Sequence, residues 1–310
     1  MKALTFICLA GLAGMSVTAA AAAELGPVVE AAELNAVLKE QEPIILDIRG
    51  EAYAEGHIEG AVSAPYALFR GPAENPGQLL PEDELEATYE ELGLEMDRPI
   101  VIMSQGDTNS DFGAAARVYW TLKSSGFSEL SVLNGGTAAW ADAGLPLSKS
   151  PVRVTPSELD ITWDNRWTAL TDDVADVVAG DRDAVLVDAR PPEFYEGKKA
   201  HNAAERPGTV PGAQNLSHSS FFRPDATAIS GVDDVDALKA SLGIGEGDEV
   251  VSFCNTGHWA ATDWFALSEL AGIDNVKLYP GSMVEYSASG NEMANVPGLL
   301  ENLLNQFRRN

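Results

Sequence analysis

The sequence predicts an α/β protein of two similar domains, each a small, mostly parallel sheet with helices on both faces. Two observations lead to this fold class. The 310 residues are 45% hydrophobic and 22% charged, which suits a globular chain of two ordinary domains. The same succession of apolar strand, glycine turn, strand, helix and strand also occurs twice. Strands that alternate with helices favour parallel pairing.

The first 23 residues have the pattern of a secretory signal peptide. Lys2 gives a positive start, residues 4–15 are apolar, and an alanine run ends at Ala23, after which we expect cleavage. The apolar stretch is shorter than the roughly 20 residues that a membrane-spanning helix needs. We therefore expect a periplasmic or secreted protein that has no membrane association after cleavage.

Each half begins with a short apolar run that ends in Asp-x-Arg, at residues 43–49 and at residues 184–190. Such a run predicts a buried strand with polar residues at its carboxyl end. A glycine turn follows each run, at residues 56–61 and 208–213. The glycine turn therefore comes at the same point of the pattern in both halves.

A second strand, a helix and a third strand follow in each half. The second strands are 99–104 and 249–254, the helices 113–124 and 260–270, and the third strands 130–133 and 275–278. Each helix ends near a glycine, as helices often do. Apolar periodicity stops at residues 148–155, which predicts a linker between domain 1 (residues 24–149) and domain 2 (residues 150–310). An amphipathic helix is expected at residues 299–307.

Cys254 is the one cysteine expected in the mature protein, because Cys8 would leave with the signal peptide. It ends a strand, and a short loop then enters a helix. Backbone N–H groups at such a turn lower a thiol pKa from its free value of about 8.5 and bind an anion. The alternative is a buried structural thiol. The position in a duplicated α/β frame favours a reactive nucleophile, and we predict Cys254 as the catalytic residue.

The formal net charge of −27 excludes the basic surfaces that nucleic acids and anionic membranes select. A small anionic substrate would need a local positive site. His57 and His201 lack metal-ligand spacing, so we predict neither a metal site nor a cofactor.

Four motifs in this order resemble the tandem-domain rhodaneses, the thiosulfate and 3-mercaptopyruvate sulfurtransferases. The motifs are residues 47–49 with 56–61, residues 134–140, residues 188–190 with 208–213, and the Cys254 loop. The resemblance covers nearly the whole mature chain. It implies that Cys254 attacks the outer sulfur of a donor, carries that sulfur as a persulfide and passes it to an acceptor.

Domain 1 has Ser104 where the family has its nucleophile. The resemblance therefore implies that domain 1 is catalytically inactive and has a structural or interface role. Counting to the glycine after the helix gives 22 steps from Ser104 to Gly126 and 18 from Cys254 to Gly272. This difference predicts that the loop of domain 1 is four residues longer.

The same resemblance implies a substrate-binding loop after the cysteine. Its members are Asn255, Thr256, Gly257, His258 and Trp259, with Arg190 and Arg206 as candidates to bind an anion. For Arg190 we favour the alternative of a salt bridge that supports the loop, while the role of Arg206 stays open. His258 is a neutral hydrogen-bonding group, a charge that appears below neutral pH, or an ordinary exposed loop histidine. Trp259 is a wall of the pocket or packs on the next helix.

Two functions stay open at this stage. The first is an enzyme that moves sulfur from a small sulfur-containing substrate such as thiosulfate or 3-mercaptopyruvate. The second is a non-enzymatic carrier that holds the persulfide for a protein acceptor. The loop has only His258 as a basic side chain and the body is acidic, which favours the carrier more than in a typical rhodanese. Two tandem domains can bury their mutual interface, so we expect a monomer.

Overall fold

The computed structural model describes residues 25–298. The predicted signal peptide at residues 1–23 and the predicted helix at residues 299–307 lie outside the described residues. Within them, no helix is long and apolar enough to cross a bilayer.

Domain 1 contains a parallel sheet of five strands in the order β1-β5-β4-β2-β3. The strands are β1 (Val28–Val29), β2 (Ile44–Asp47), β3 (Val62–Ser63), β4 (Ile100–Met103) and β5 (Leu130–Leu133). The helices are α1 (Ala31–Gln41), α2 (Glu82–Glu91), α3 (Asn109–Ser124) and α4 (Gly136–Asp142), with 3₁₀ turns at Gly50–Glu55 and Tyr66–Phe69. The central strands are fully buried, as expected where helices cover both faces.

Domain 2 repeats this order with four described strands, β7-β6-β8-β9, again all parallel. The strands are β6 (Val185–Asp188), β7 (Gln214–Asn215), β8 (Val250–Phe253) and β9 (Val276–Leu278). The helices are α5 (Thr171–Ala179), α6 (Pro192–Tyr195), α7 (Val235–Leu242), α8 (Trp259–Phe265) and α9 (Ser282–Ala288), with 3₁₀ turns at Asn165–Trp167 and His218–Phe221. A single parallel bridge from Thr168 to Leu278 takes the place that β1 has in domain 1. The predicted fold class is confirmed.

The strand register brings the two predicted motifs of each domain together. Asp188 at the end of β6 is paired with Phe253 at the end of β8, and Asp47 is paired with Met103 in the same way. The Asp-x-Arg motif and the loop after the second strand therefore share the carboxyl edge of the sheet, where open α/β sheets bind ligands.

The two domains share one hydrophobic core across helices α3 and α8. Phe265 packs edge to face on Phe112 and on Tyr119, with ring centroids 5.3 and 5.0 Å apart. Tyr119 also donates a hydrogen bond to Glu269. The helices that follow Ser104 and Cys254 are thus the elements that join the domains.

The segment between the domains lies along helix α2. The N–H groups of Leu159 and Ile161 donate to the carboxylates of Glu90 and Glu86. The acidic residues of α2 therefore hold an extended chain. The predicted division between residues 149 and 150 lies at the start of this segment and stays a prediction.

The prediction of a longer loop in domain 1 is wrong. Both loops have five residues, 104–108 and 254–258, and the extra residues lie in α3. This helix begins at Asn109 rather than at residue 113, because the Asp111 carboxylate accepts the N–H of Thr108 and caps the first turn. In domain 2, α8 ends at Phe265 and continues as a π-helix at Ala266–Leu270.

Gly106 lies in the loop at residues 104–108 of domain 1 and shows how closely this loop is packed. Its φ is +82°, and a Cβ added there would lie 1.9 Å from the carbonyl oxygen of Gly135. Gly144 has a similar φ of +71° but open space around it. Both alanine variants suffer the backbone strain of roughly 1 kcal/mol, but only Gly106→Ala also clashes.

We expect Gly106→Ala to lower the free energy of unfolding by about 2 kcal/mol more than Gly144→Ala. Urea denaturation of both variants measures the difference. Equal losses would show that the loop can move away from Gly135.

Candidate active site

Cys254 follows β8 directly and is 1% exposed. Cys254 is the first residue of a loop, and the first turn of α9 binds the backbone of this loop. The N–H groups of Met283 and Val284 donate to the carbonyl oxygens of Cys254 and Asn255, at 3.1 and 3.0 Å. The cysteine therefore lies on a fixed backbone.

Ser282 closes the loop through one oxygen atom. Its Oγ accepts the N–H groups of Cys254 and Gly257, at 3.0 and 3.1 Å, and donates to the carbonyl of Tyr279 at 2.8 Å. Ser282 has a φ of +51°, which L-residues rarely adopt. Gly136 is at the equivalent position in domain 1, with a φ of +58°. The three hydrogen bonds compensate for the strain that serine accepts here.

The remaining backbone donors of the loop face no protein acceptor in the described part of the chain. These are the N–H groups of Asn255, Thr256 and His258. Asn255 and Thr256 are also buried. Successive free N–H groups beside a thiol can bind a thiolate or a small anion.

Arg190 is held by Asp188 in a buried, bidentate pair, with Nε and Nη2 2.8 and 2.6 Å from the carboxylate oxygens. It also donates to the carbonyl of Gly208 and, at 3.4 Å, to the amide oxygen of Asn255. Arg49 and Asp47 make the same bidentate pair in domain 1, which has no cysteine. This geometry supports the loop, and a role of Arg190 in substrate binding stays a prediction.

Arg206 lies near the end of α9. It donates to the carbonyl oxygens of Ser287 and Asn291, at 3.2 and 3.1 Å. These bonds connect the segment before Gly208 to the end of the helix. Binding of an anion by Arg206 also stays a prediction.

His258 connects the loop to domain 1. Its Nε2–H donates to the carbonyl of Ser110 at 2.9 Å, and its Nδ1 accepts the hydroxyl of Tyr66 at 3.0 Å. Burial, and next the positive charge of Arg70, lower the pKa of His258 to about 3. His258 is therefore a neutral, hydrogen-bonded side chain at physiological pH, the first of the alternatives above.

Trp259 is fixed by contacts with both domains. Its Nε1–H donates to Ser110 Oγ at 2.9 Å, and its ring stacks on His218 with centroids 4.9 Å apart. Phe194 contacts it edge to face at 5.8 Å. The indole thus orders the loop, and its part in a substrate pocket stays a prediction.

Two arginines of domain 1 bind the loop of domain 2. Arg70 Nη2 donates to the carbonyl of Thr256 at 2.8 Å, and Arg117 Nη1 donates to the carbonyl of Gly257 at 3.3 Å. Arg117 is 1% exposed. Burial, and next the charge of Arg70, lower its pKa to about 9, which leaves it protonated at neutral pH. Sequence reasoning missed both residues, although a lone arginine in the apolar pattern of α3 was a usable signal for Arg117.

Sequence reasoning also missed Asp263. It is fully buried on α8, and neither carboxyl oxygen has a hydrogen-bonding partner among the described protein groups. Burial raises its pKa well above the ordinary value, and the negative charges of Cys254 and Asp188 raise it further. Asp263 therefore keeps its proton to a higher pH than an exposed aspartate.

No three His, Cys, Asp or Glu side chains within residues 25–298 are grouped as metal ligands would be. His57 binds backbone instead, with its ring nitrogens 3.0 Å from the carbonyl oxygens of Tyr53 and Ser150.

Ser282→Ala tests the closure of the loop. The change leaves the buried N–H groups of Cys254 and Gly257 without an acceptor, at a cost of roughly 1–3 kcal/mol for each unsatisfied group. We expect a loss of about 2 kcal/mol or more in the free energy of unfolding, measured with urea. Ser241→Ala, at an exposed serine on α7, is the control and should change little. A loss no larger than the control's would contradict the role of Ser282.

Asp263→Asn tests the protonated carboxyl. Because the folded pKa is raised, unfolding releases a proton at pH values between the unfolded pKa of about 3.9 and the folded pKa, and the native protein loses stability as pH rises through this range. Asp263→Asn removes the ionisable group and therefore this pH-dependent loss of stability. Over this range, the free energy of unfolding of the variant relative to that of the native protein should grow with pH by up to about 1.4 kcal/mol per unit. The exposed Asp233→Asn is the control, and a difference that does not change with pH would refute the assignment.

A model of the rhodanese-like domain matches the chain twice, at residues 30–143 and 171–289. The sulfur carrier protein TtuD of Thermus thermophilus is 30% identical over 260 residues, which cover 81% of this chain and 87% of that protein. A Synechococcus elongatus protein with the provisional name of thiosulfate sulfurtransferase is also 30% identical, over 79% of this chain and 78% of its own.

Solved structures agree with these matches. SseA from Escherichia coli, a 3-mercaptopyruvate sulfurtransferase, superposes with a TM-score of 0.71 at 25% identity, covering 83% of this chain and 99% of its own. An anaerobic ergothioneine biosynthesis enzyme from Chlorobium limicola shares the fold, with a TM-score of 0.76 at 21% identity over 88% of this chain and 71% of its own. The repeated domain, the shared strand order and these matches confirm the resemblance seen in the sequence: the chain belongs to the rhodanese family, as a tandem-domain member.

Proposed function

We propose that the protein is a rhodanese-type sulfurtransferase in which Cys254 carries sulfur as a persulfide. The observation that carries this proposal is the position of Cys254 at the end of β8, beneath a closed loop whose N–H groups of Asn255, Thr256 and His258 are free to bind an anion. A thiolate and a persulfide anion both need such donors.

The chemistry needs one nucleophile and no cofactor. The Cys254 thiolate attacks the outer sulfur of thiosulfate, the sulfur–sulfur bond of the donor breaks, and sulfite leaves with the electron pair. With 3-mercaptopyruvate, the carbon–sulfur bond breaks and the pyruvate enolate leaves and takes up a proton. An acceptor nucleophile then attacks the terminal sulfur and regenerates the thiolate. Both donors are candidates, supported by the names of the Synechococcus relative and of SseA.

A sulfur carrier is the second candidate function, and two observations favour it. The loop from Cys254 to Trp259 has only His258 as a basic side chain and the net charge is −27, which disfavours small anionic substrates. The Thermus relative is named a sulfur carrier protein. In this case the partner is a protein acceptor that receives the persulfide sulfur.

The cellular setting belongs to the same proposal. The signal-peptide pattern of residues 1–23 supports export to the periplasm or the medium. The core shared by α3 and α8 supports a monomer, because each domain buries its apolar surface against the other. The net charge of −27 argues against nucleic acids and anionic membranes as partners.

Intact-mass measurement tests persulfide formation. The protein is incubated with thiosulfate or with 3-mercaptopyruvate, beside a Cys254→Ser control. We expect the native protein alone to gain one sulfur atom, because domain 1 has Ser104 in place of the nucleophile. No gain from either donor would exclude the simple sulfurtransferase, and a gain by the control would place the sulfur elsewhere.

Turnover with cyanide separates the enzyme from the carrier. A sulfurtransferase should form thiocyanate over many cycles, whereas a carrier should stop after about one. Each result supports one candidate function and excludes the other.

A further inference from the structure

The sulfur donors considered above are anions, but the protein has a net charge of −27. The loop from Cys254 to Trp259 contains no arginine or lysine, and its one histidine is neutral. Any positive charge that attracts a donor to Cys254 must therefore come from outside this loop.

Arg70 and Arg117 of domain 1 bring that charge to the loop. They donate to two successive carbonyl groups, those of Thr256 and Gly257. Arg117 also donates to the carbonyl of Gly77 at 3.1 Å. Two guanidinium groups from one domain thus border the nucleophile of the other.

Neither arginine is neutralised by an ion pair within residues 25–298. Arg70 Nη1 and Arg117 Nε are buried and have no hydrogen-bonding partner there. The charge of the Glu285 carboxylate acts on Arg117, but the oxygens of Glu285 accept hydrogen bonds from Asn75 and Thr171. Buried arginines are normally paired, so these two retain unused binding capacity for an anion.

We propose that domain 1 supplies the anion site of the enzyme, with Arg70 binding the negative group of the donor and Arg117 stabilising the anionic sulfur of Cys254. This inference rests on the proposed function and adds to it the side chains of domain 1 that bind the anionic donor.

The two arginines differ in burial, and this difference assigns their roles. Arg117 is 1% exposed and binds backbone on both sides, so it acts on Cys254 through its charge and positions the loop. Arg70 is only partly buried, and its Cζ lies 5.2 Å from the centroid of the Tyr66 ring. Arg70 is therefore the group that an incoming donor can reach.

Other ionisable groups near Cys254 also contribute to the electrostatic field at its sulfur. They are Tyr66, Asp188, Arg190, His218, His258, Asp263 and Glu285. Asp188 and Arg190 neutralise each other, and burial lowers the pKa of His218 and of His258 and raises that of Asp263. Among the described residues near Cys254, Arg70 and Arg117 are thus the positively charged side chains without an ion pair.

Alkylation of Cys254 in the full chain tests the anion site without sulfur transfer. Iodoacetate is an anion and iodoacetamide is a neutral molecule of similar size, so the ratio of their rates reports the local charge. We expect Arg70→Gln to lower the iodoacetate to iodoacetamide ratio about tenfold. Arg166→Gln removes the same charge at an exposed site on domain 2 and should leave the ratio unchanged. An Arg70→Gln ratio equal to that of the control would overturn the proposal.

Arg117 is tested by the same ratio of alkylation rates. Arg117→Gln should lower the iodoacetate to iodoacetamide ratio at Cys254, and Arg117→Lys, which keeps the charge, should restore much of it. A ratio unchanged in both variants would contradict the role of Arg117. If Arg117→Gln does not fold, the Arg70→Gln ratio decides the proposal.

The alkylation results are distinguishable from a failure of the proposed function. Cys254 reacts with both reagents whether or not it accepts sulfur. Failure to form a persulfide together with a normal Arg70 effect would overturn the sulfurtransferase and leave an anion site beside a reactive thiol. In an active enzyme, Arg70→Gln should raise KM for thiosulfate by about tenfold with a smaller change in kcat.

Discussion

The hydrogen bonds of Ser282 fix the backbone on which the rest of the site depends. One hydroxyl oxygen binds the N–H groups of Cys254 and Gly257 and so closes the loop between them. The other N–H groups of the loop are then free for an anion, and its carbonyl groups at Thr256 and Gly257 face the arginines of domain 1. If the loop opened, the donors to sulfur and the interdomain contacts would be lost together.

Domain 1 lacks the nucleophile but completes the site. Ser110 at the start of α3 binds both His258 and Trp259, and Arg117, two turns later, binds Gly257. A four-residue extension makes α3 one turn longer than its counterpart. The proposed anionic substrates are compatible with the acidic chain because Arg70 and Arg117 bring positive charge to the loop where the two domains meet.

The duplicated pattern predicted the fold, since strand and helix periodicity is local information. Residues 130–133 form a strand as predicted, and Cys254 lies where a strand meets a helix. Comparison of the two repeats could also have identified Ser282, which replaces Gly136. The arginines could not be assigned in this way, because Arg70 is 186 positions from Thr256 and no spacing rule connects residues of different domains. Asp263 was hidden for another reason: a helical pattern does not show which polar side chain lacks a partner.

The most direct test of the account is a crystal structure of the protein after incubation with thiosulfate. We expect one additional sulfur atom bonded to the sulfur of Cys254, within hydrogen-bonding distance of the free loop N–H groups, with Arg70 and Arg117 still bound to the loop. An unmodified Cys254, or a persulfide from which both arginines have moved away, would contradict the claim that the two domains jointly stabilise a sulfur anion.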